Sequence, residues 1–332
     1  MLTKLTLGIS TALFSLSLSA LEVDSYIVNG TDTSTSTYPS YARLYYNEYG
    51  NYGYCGGTFI DATHVLTAAH CVDQNADNIS EVDLLFTVAI PNLDDEDDAS
   101  NATKYYVSKF YIHEDYDRDQ VFLNDIAILE LESAVNISSY TQFASDQNLY
   151  RADGVNETFV AVGHGNTKTG EDNTTLLQEA TLTYLANSSC TEYKVGGASE
   201  SQLCMSGDID VGSGLRNSTC QGDSGGPLYW NGKQVGITSY GPLAGCGLAT
   251  VTATSVFTEV TDYSGWITNV KNGLVAATYS TSESDREYYR LNGRLPDAVS
   301  DVLGSGGGGG GSVPLWSSLV MLAMAIFRKK RS

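Results

Sequence analysis

The sequence is short of basic residues, and this shortage excludes several kinds of partner. It contains 18 Lys and Arg residues against 39 Asp and Glu residues, which gives a formal net charge of −21 at pH 7. A surface of this charge repels nucleic-acid phosphates and anionic lipid headgroups. We therefore expect no nucleic-acid partner, and we attribute the acidity to solubility outside the cell or to a saline habitat.

The sequence also lacks an apolar run of the roughly 20 residues that a membrane-spanning helix needs. A shorter run at residues 5–18 follows Lys4 and precedes Ser19-Ala20, which is the layout of a secretory signal peptide over residues 1–20. A second run, at residues 313–327, ends in the basic residues 328–331. Such a basic stop favours membrane insertion, so we expect this segment to attach the protein to a membrane transiently.

None of the six cysteines forms a Cys-x-x-Cys pair, which argues against a zinc site. Because cysteines in exported proteins are commonly oxidised, we expect disulfides instead. The spacing of six cysteines does not by itself fix how they pair.

Three short motifs supply a nucleophile, a base and an orienting acid. Ser224 lies in the segment Cys220-Gln221-Gly222-Asp223-Ser224-Gly225-Gly226-Pro227, a glycine-rich turn whose backbone can approach a substrate closely. His70 lies in Thr67-Ala68-Ala69-His70-Cys71, and Asp125 lies in Asn124-Asp125-Ile126-Ala127. A serine hydroxyl becomes a good nucleophile when a histidine takes its proton, and that histidine needs a carboxylate to hold its tautomer.

The order of these residues narrows the choice of fold. The sequence has no histidine after Ser224, because its four histidines are His64, His70, His113 and His164. The α/β-hydrolases place their histidine after the serine, so the Gly-x-Ser-x-Gly match at residues 222–226 does not indicate that fold. An acid before His70, as in subtilisin, has no persuasive context here. The order histidine, aspartate, serine fits.

The chain resembles the trypsin/chymotrypsin family of serine endopeptidases over residues 27–275. Besides the three motifs above, the resemblance rests on Ile27-Val28-Asn29-Gly30, Cys55-Gly56-Gly57-Thr58, Gly163-His164-Gly165-Asn166, Ser239-Tyr240-Gly241 and Trp266-Ile267. It implies an all-β fold of two six-stranded antiparallel β-barrels, with His70 and the Ser224 turn on loops at their junction. Short β-branched runs between polar clusters agree with such strands. Apolar residues at helical spacing over residues 256–274 predict a C-terminal helix.

The resemblance also implies roles within the site. Backbone N–H groups of Gly222 and Ser224 would form an oxyanion hole. The segment Ser239-Tyr240-Gly241 would pair with the substrate backbone, and Ser239 would donate a hydrogen bond toward Asp125. The disulfides that the resemblance implies are Cys55–Cys71, Cys190–Cys204 and Cys220–Cys246.

The predicted substrate pocket differs from that of trypsin. Ser218 lies six residues before Ser224, where trypsin has its substrate-binding aspartate, so we expect no pairing with a substrate Arg or Lys. Ser218 alone suggests that the pocket accepts Phe, Tyr or Leu. Ser255 aligns with a pocket-wall glycine and would narrow the pocket toward smaller residues, so both preferences stay open.

Activation in this family uses a new N-terminal amine that inserts beside a carboxylate next to the nucleophile. The resemblance assigns these roles to Ile27 and Asp223, with residues 21–26 as an activation peptide. Cleavage would follow Tyr26 rather than an Arg or Lys. A pocket that accepts tyrosine would let the protein process its own precursor, and we state self-activation as a hypothesis.

An acidic run lies where the family often has a calcium-binding loop, and its members are Asp94, Asp95, Glu96, Asp97 and Asp98. Clustered carboxylates suit a hard cation such as calcium, although charge runs also occur in solvated loops. We treat calcium as a candidate ligand and expect the chemistry to require no cofactor.

The composition changes after residue 275. Residues 276–303 are polar and too few to bury a core of their own, which predicts a linker or stalk. A glycine tract, the second apolar run and the basic end follow over residues 304–332. This arrangement resembles the GlyGly-CTERM sorting signal of Gram-negative bacteria, which implies C-terminal processing and type II secretion to the cell surface. A short tail anchor is the alternative.

Together these features predict an exported serine endopeptidase that acts on proteins or peptides, with Ser224 as nucleophile, His70 as base and Asp125 as orienting acid. Two other functions stay open at this stage. One is a protease-like adhesion protein displayed on a surface, although a pure binding protein needs no intact triad. The other is an esterase that uses the same three residues.

Overall fold

The strands of this protein form two closed barrels. The computed structural model describes residues 27–49, 53–74, 79–151, 157–171, 173–191 and 197–296. A short strand, β1 (Thr31–Asp32), comes first. The first barrel then consists of β2 (Tyr41–Tyr45), β3 (Gly53–Phe59), β4 (His64–Thr67), β5 (Val88–Pro91), β6 (Tyr105–Ile112) and β7 (Ala127–Leu131). The second consists of β8 (Phe159–Gly163), β9 (Gln178–Leu185), β10 (Gln202–Ser206), β11 (Pro227–Trp230), β12 (Lys233–Tyr240) and β13 (Ser255–Glu259).

Both barrels are antiparallel and close on themselves. In the first, the order β6-β5-β2-β3-β4-β7 is completed by pairing of β7 with β6. In the second, the order β9-β10-β13-β12-β11-β8 is completed by pairing of β8 with β9. The predicted all-β fold of two six-stranded barrels is therefore confirmed.

Each barrel has its own apolar core. Leu66, Phe110 and Ile128 are fully buried in the first, and Phe159 and Phe257 are fully buried in the second. Burial of such side chains is the main favourable term in folding. The loops at the junction of the barrels are therefore attached to two strands-and-core units that are each well packed.

The helices are short. A first helix, α1 (Glu81–Leu85), begins with a capping box between Ser80 and Asp83. The predicted C-terminal helix is present but shorter than the spacing suggests, because α2 covers only Ser264–Lys271. Residues 256–259 belong instead to β13, where β-branched side chains are favoured. No helix in the described ranges is long and apolar enough to cross a membrane.

The polar stretch that composition predicts as a linker is folded over part of its length. A strand, β14 (Tyr279–Ser280), pairs with β6, and a helix, α3 (Glu283–Asn292), follows it. The helix begins at Ser282, which caps its first turn, and ends at Gly293 in the left-handed conformation. The linker prediction is therefore wrong for residues 279–292.

A single arginine explains why so polar a segment folds against the first barrel. Arg286 of α3 is fully buried, pairs with Glu132 and donates to Glu283 at 2.9 Å. Its guanidinium lies 4.1 Å from the ring centre of Tyr106, which adds a cation–π contact. Amino-acid composition does not predict this arrangement, because a charged residue is normally expected at the surface and Arg286 is buried.

The remaining predictions for the chain ends lie outside the described residues. These are the signal peptide (1–20), the activation peptide (21–26) and the glycine tract with its apolar and basic segments (304–332). Within the described part, β1 pairs with β9 of the second barrel. The first described residues are thus joined to the second barrel, and β14 is joined to the first.

We expect Arg286→Ala to lower the free energy of unfolding by about 2 kcal/mol, because it removes charge-assisted hydrogen bonds from a buried site. The control is Arg290→Ala on the same helix, whose half-exposed ion pairs with Glu48 and Glu283 should be worth less than about 1 kcal/mol. Urea unfolding of both variants checks this. Equal losses would show that Arg286 does not hold the segment in place.

Candidate active site

Asp125 lies just before β7 and its side chain is fully buried. Its Oδ1 accepts a hydrogen bond from the backbone N–H of His70 at 2.9 Å, and its Oδ2 lies 2.8 Å from His70 Nδ1. Ser239 donates its hydroxyl to the same Oδ2 at 2.5 Å. A buried charge needs such partners because an unpaired one is costly. The carboxylate therefore makes Nδ1 the protonated ring nitrogen, so that Nε2 carries the lone pair.

Two local features place the imidazole. His70 lies in a single 3-10 turn, Ala69–Cys71, that follows β4. The next residue, Cys71, is joined by a disulfide to Cys55 on β3. The side chain keeps 16% of its surface exposed, and Nε2 lies 3.8 Å from Cys71 Sγ.

The turn that carries Ser224 is packed against the segment that leads to His70. The Gly56 N–H donates to the Ser224 carbonyl at 2.7 Å, and the Gly225 N–H donates to the Thr238 carbonyl at 2.8 Å. A side chain at Gly225 would lie 2.1 Å from Thr67 Oγ1 and 3.1 Å from Ala68 N. Only glycine fits this approach, and its φ of +76° also favours glycine.

A cavity of about 120 Å³ opens beside this turn. It is lined by Thr219, Cys220, Gln221, Ser224, Thr238, Ser239, Tyr240, Gly241, Pro242 and Cys246. None of these lining residues is acidic. Ser239 therefore joins the two halves of the site, because it lines this cavity with Ser224 and bonds to the carboxylate that holds His70.

Two residues predicted for the pocket lie behind its wall. Ser218 is fully buried and donates to the carbonyls of Thr219 and Thr254 at 2.7 and 3.0 Å. Ser255 is also fully buried, and its hydroxyl accepts from the hydroxyl of Thr219 at 2.9 Å. Neither is among the residues that line the cavity described above, and a role for them in the substrate pocket stays a prediction. Thr219, which the sequence analysis did not single out, stands in front of both.

The structure contains the three predicted disulfides. They are Cys55–Cys71, Cys190–Cys204 and Cys220–Cys246. The last of these joins the irregular segment before the Ser224 turn to the loop that follows β12, and both of its cysteines line the cavity. The pairings that the resemblance implied are confirmed.

Comparison with known proteins identifies the family. Residues 27–267 match the family model described as Trypsin. The chain belongs to the trypsin family. It is similar to human chymotrypsin-like elastase family member 1, with 33% identity over 75% of this chain and 93% of that protein. It is also similar to alkaline trypsin C of Manduca sexta, with 32% identity over 73% and 90% of the two chains.

A solved structure supports the same assignment at the level of the fold. Mouse neuropsin, described as a serine protease, superposes with a TM-score of 0.59 at 23% identity, over 73% of this chain and 98% of the other. The trypsin family consists of serine endopeptidases, and this protein is therefore a serine endopeptidase.

In this trypsin-family site, Asp223 is a second buried carboxylate. It is 1% exposed and accepts backbone N–H groups of Gly165 and Cys220, both at 2.8 Å. Burial raises the pKa of Asp223 to about 7, against the opposing effect of these two hydrogen bonds. Ile27 is also fully buried, and Val28 forms a bridge with Ser218. Tyr26 lies outside the described residues, so insertion of the Ile27 amine stays a prediction.

The predicted calcium loop does not converge on one point. Asp94 accepts the backbone N–H and the hydroxyl of Thr35 at 2.6 and 2.7 Å. Glu96 accepts from the guanidinium of Arg43 at 2.7 Å. In the described ranges, no three of these carboxylates come close enough to share an ion. Asp94 and Glu96 are thus engaged by donors within the protein, and calcium binding stays a prediction.

Phe122 is a site residue that no motif in the sequence indicates. Its ring meets the imidazole of His70 edge to face at 5.5 Å and stacks on Tyr240 at 5.6 Å. It is held there by an unusual backbone, because Val121 and Phe122 both have positive φ, at +59° and +53°. Such angles are rare for these residue types. No local sequence signal predicts them.

We expect Gly225→Ala to lower the free energy of unfolding by at least about 3 kcal/mol, because it adds a steric clash to the cost of positive φ. Gly273→Ala is the matched control. Gly273 has a φ of +69° and nothing within 4 Å of its added carbon, so its cost should stay near 1–2 kcal/mol. Urea unfolding of the two variants measures the difference. Similar losses would contradict the close packing of the Ser224 turn against residues 67–68.

Proposed function

We propose that this endopeptidase cleaves peptide bonds with Ser224 as nucleophile, His70 as general base and Asp125 as orienting acid. The observation that carries the proposal is the buried Asp125 carboxylate. It holds His70 Nδ1 at 2.8 Å and, through Ser239 at 2.5 Å, is joined to the cavity that Ser224 lines. This arrangement orients the imidazole and stabilises the imidazolium that forms during acyl transfer.

The steps follow from these positions. Ser224 Oγ attacks the substrate carbonyl carbon while His70 Nε2 accepts the hydroxyl proton. His70 then gives that proton to the leaving amine, which breaks the peptide bond and leaves an acyl ester on Ser224. A water molecule, activated by the same nitrogen, hydrolyses the ester and restores the serine.

Stabilisation of the oxyanion is assigned to the backbone N–H groups of Gly222 and Ser224. Neither N–H donates to an acceptor among the residues that the structure describes. Gly222 has a φ of +101°, and a side chain there would lie 3.0 Å from Gly165 Cα. These features support a donor pair that can bind a developing negative charge, where each donor is worth about 10²–10³ in rate.

We expect Ser224→Ala to abolish peptide hydrolysis and labelling by a serine-directed phosphonate, and Asp125→Asn to lower kcat by about 10⁴. Urea unfolding of each variant provides the folding control. The same assays with matched peptide and ester substrates separate a peptidase from an esterase. Peptidase activity that survives in Ser224→Ala would refute the assignment of the nucleophile.

We propose that the pocket accepts small or apolar side chains and rejects Arg and Lys. Its residues include no carboxylate to pair with a cation, and its volume is about 120 Å³. Thr219 limits the depth, since its hydroxyl is fixed by Ser255 at 2.9 Å. Of the two preferences that the sequence left open, the volume favours the smaller residues.

We expect Thr219→Gly to raise kcat/KM for Phe or Leu relative to Ala at the cleavage site by about tenfold or more, because it deepens the pocket. Ser218→Ala is the matched control, since Ser218 lies behind the wall and should leave the preference unchanged. Cleavage of a peptide library by each variant measures both effects. An unchanged preference in Thr219→Gly would exclude Thr219 as the limit of the pocket.

We also propose that the protein is exported as a precursor and activated by cleavage after Tyr26. The three disulfides support an oxidising compartment. Burial of both Ile27 and Asp223 supports a close pairing of the new amine with this carboxylate. Residues 304–332 would act as a GlyGly-CTERM-type signal for type II secretion in a Gram-negative bacterium, with transient membrane attachment.

Activation predicts a specific dependence of stability on pH. In the uncleaved chain the pKa of Asp223 is raised to about 7 by burial, above the usual value of about 4. Its contribution to stability is therefore fully present below about pH 4 and is lost as the pH rises through about 7. In the cleaved form, the protonated amine of Ile27 beside Asp223 would remove this loss. The Tm of the cleaved form should therefore exceed that of the uncleaved form by an amount that grows between pH 5 and pH 8.

Calorimetry on Ser224→Ala protein measures this difference, because that variant cannot cleave itself. The uncleaved and cleaved forms are prepared from the same variant, so other titrating groups, such as Glu259, cancel. A Tm difference that does not change with pH would contradict the pairing of Ile27 with Asp223.

A further inference from the structure

Arg43 is a buried arginine that contacts both barrels. It lies on β2, is 3% exposed, and donates from Nε to Glu96 Oε1 at 2.7 Å. Its Nη1 donates to the backbone carbonyl of Gly222, also at 2.7 Å. Tyr45 adds a hydrogen bond to the same Glu96 oxygen at 3.3 Å. One guanidinium thus joins the acidic segment of residues 94–98 to the turn that carries Ser224.

The carbonyl that Arg43 binds belongs to the peptide between Gly222 and Asp223. The N–H of that peptide donates to the Cys220 carbonyl at 3.1 Å, so both of its polar groups are held. Glycine offers little resistance to rotation of its flanking peptides. The bond from Arg43 therefore fixes one side of Gly222, and the N–H assigned to the oxyanion hole lies on the other side of the same residue.

The chemistry of arginine suits this position. A guanidinium stays protonated when buried, and its planar fork directs two hydrogen bonds at once. Burial alone would lower the pKa of Arg43, but the negative charge of Glu96 outweighs burial and raises it. A neutral donor at this position would bind the Gly222 carbonyl, but it would form no ion pair with Glu96.

We propose that Arg43 is a positioning residue that orients the oxyanion-binding turn through the Gly222 carbonyl, and that Glu96 holds its guanidinium in place. This inference rests on the proposed function and deepens it. Arg43 touches no reacting atom, so its loss should weaken binding of the transition state more than binding of the substrate.

The test compares Arg43→Met with the double variant Arg43→Met/Glu96→Gln. Rates are expressed per active site titrated with a phosphonate, which removes the effect of misfolded protein. We expect kcat to fall about 10- to 100-fold in both, part of the effect of a lost oxyanion donor, with KM within about threefold of wild type. Affinity for a peptide aldehyde, which forms a tetrahedral adduct, should fall by the same factor as kcat.

Control variants separate positioning from folding. Arg286→Met removes another buried arginine, on the helix α3 that packs against the first barrel, and should lower Tm without changing kcat per titrated site. If the double variant regains wild-type kcat, the loss in Arg43→Met came from the unpaired Glu96 charge, and the proposal is overturned.

A further variant, Glu96→Gln, keeps Arg43 but weakens the hold on its guanidinium, so it tests the proposal even if Arg43→Met does not fold. We expect it to lower kcat about 3- to 10-fold at unchanged KM, and wild-type kcat in this variant would overturn the proposal. A wild-type protein that cleaves neither peptides nor esters would instead refute the proposed function, and this role with it.

Discussion

The buried carboxylate of Asp125 is the interaction on which the rest of the site depends. It comes from the first barrel, yet Ser239 of β12 donates to its side chain and Thr258 of β13 donates to its backbone carbonyl at 2.9 Å. Without these donors from the second barrel, a fully buried charge would be too costly to keep. The relative position of the barrels and the orientation of His70 are therefore set by the same few hydrogen bonds.

A second layer of buried polar groups lies beneath the Ser224 turn. Tyr41 Oη lies 3.1 Å from His164 Nδ1, and burial lowers the pKa of His164 well below its usual value, so this histidine is neutral. The charges of Arg43, Glu96 and Asp223 lie close enough together in this layer to affect one another. One cation thus lies near two carboxylates, and an activating amine would supply the second cation that balances them.

The sequence predicts much of this site because each of its candidate catalytic residues lies in a short motif that can be recognised by itself. The order of His70, Asp125 and Ser224 selects the fold, and the resemblance that this order supports identifies all three disulfides. The spacing of residues 256–274 overestimates the helix because β-branched residues fit the end of β13 as well as a helix. Local sequence patterns therefore predict the fold family better than they predict where a helix or strand begins and ends.

What the sequence does not predict depends on contacts between distant residues. Arg43 lies in the run Tyr-Ala-Arg-Leu-Tyr, where every residue is buried, and its partners are 53 and 179 positions away. The hydroxyl of Thr219 is held by Ser255, 36 positions away, so no local pattern indicates that Thr219 lines the cavity. The fold of residues 279–292 was missed because a buried arginine and its carboxylates have the composition of a linker.

The pairing of β1 with β9, and of β14 with β6, gives the chain a crossed arrangement. Residues near the start of the described chain pair with a strand of the later barrel, and residues near its end pair with a strand of the earlier one. The pairing of β14 with Lys109 and Phe110 of β6 therefore forms only after nearly all of both barrels has been synthesised.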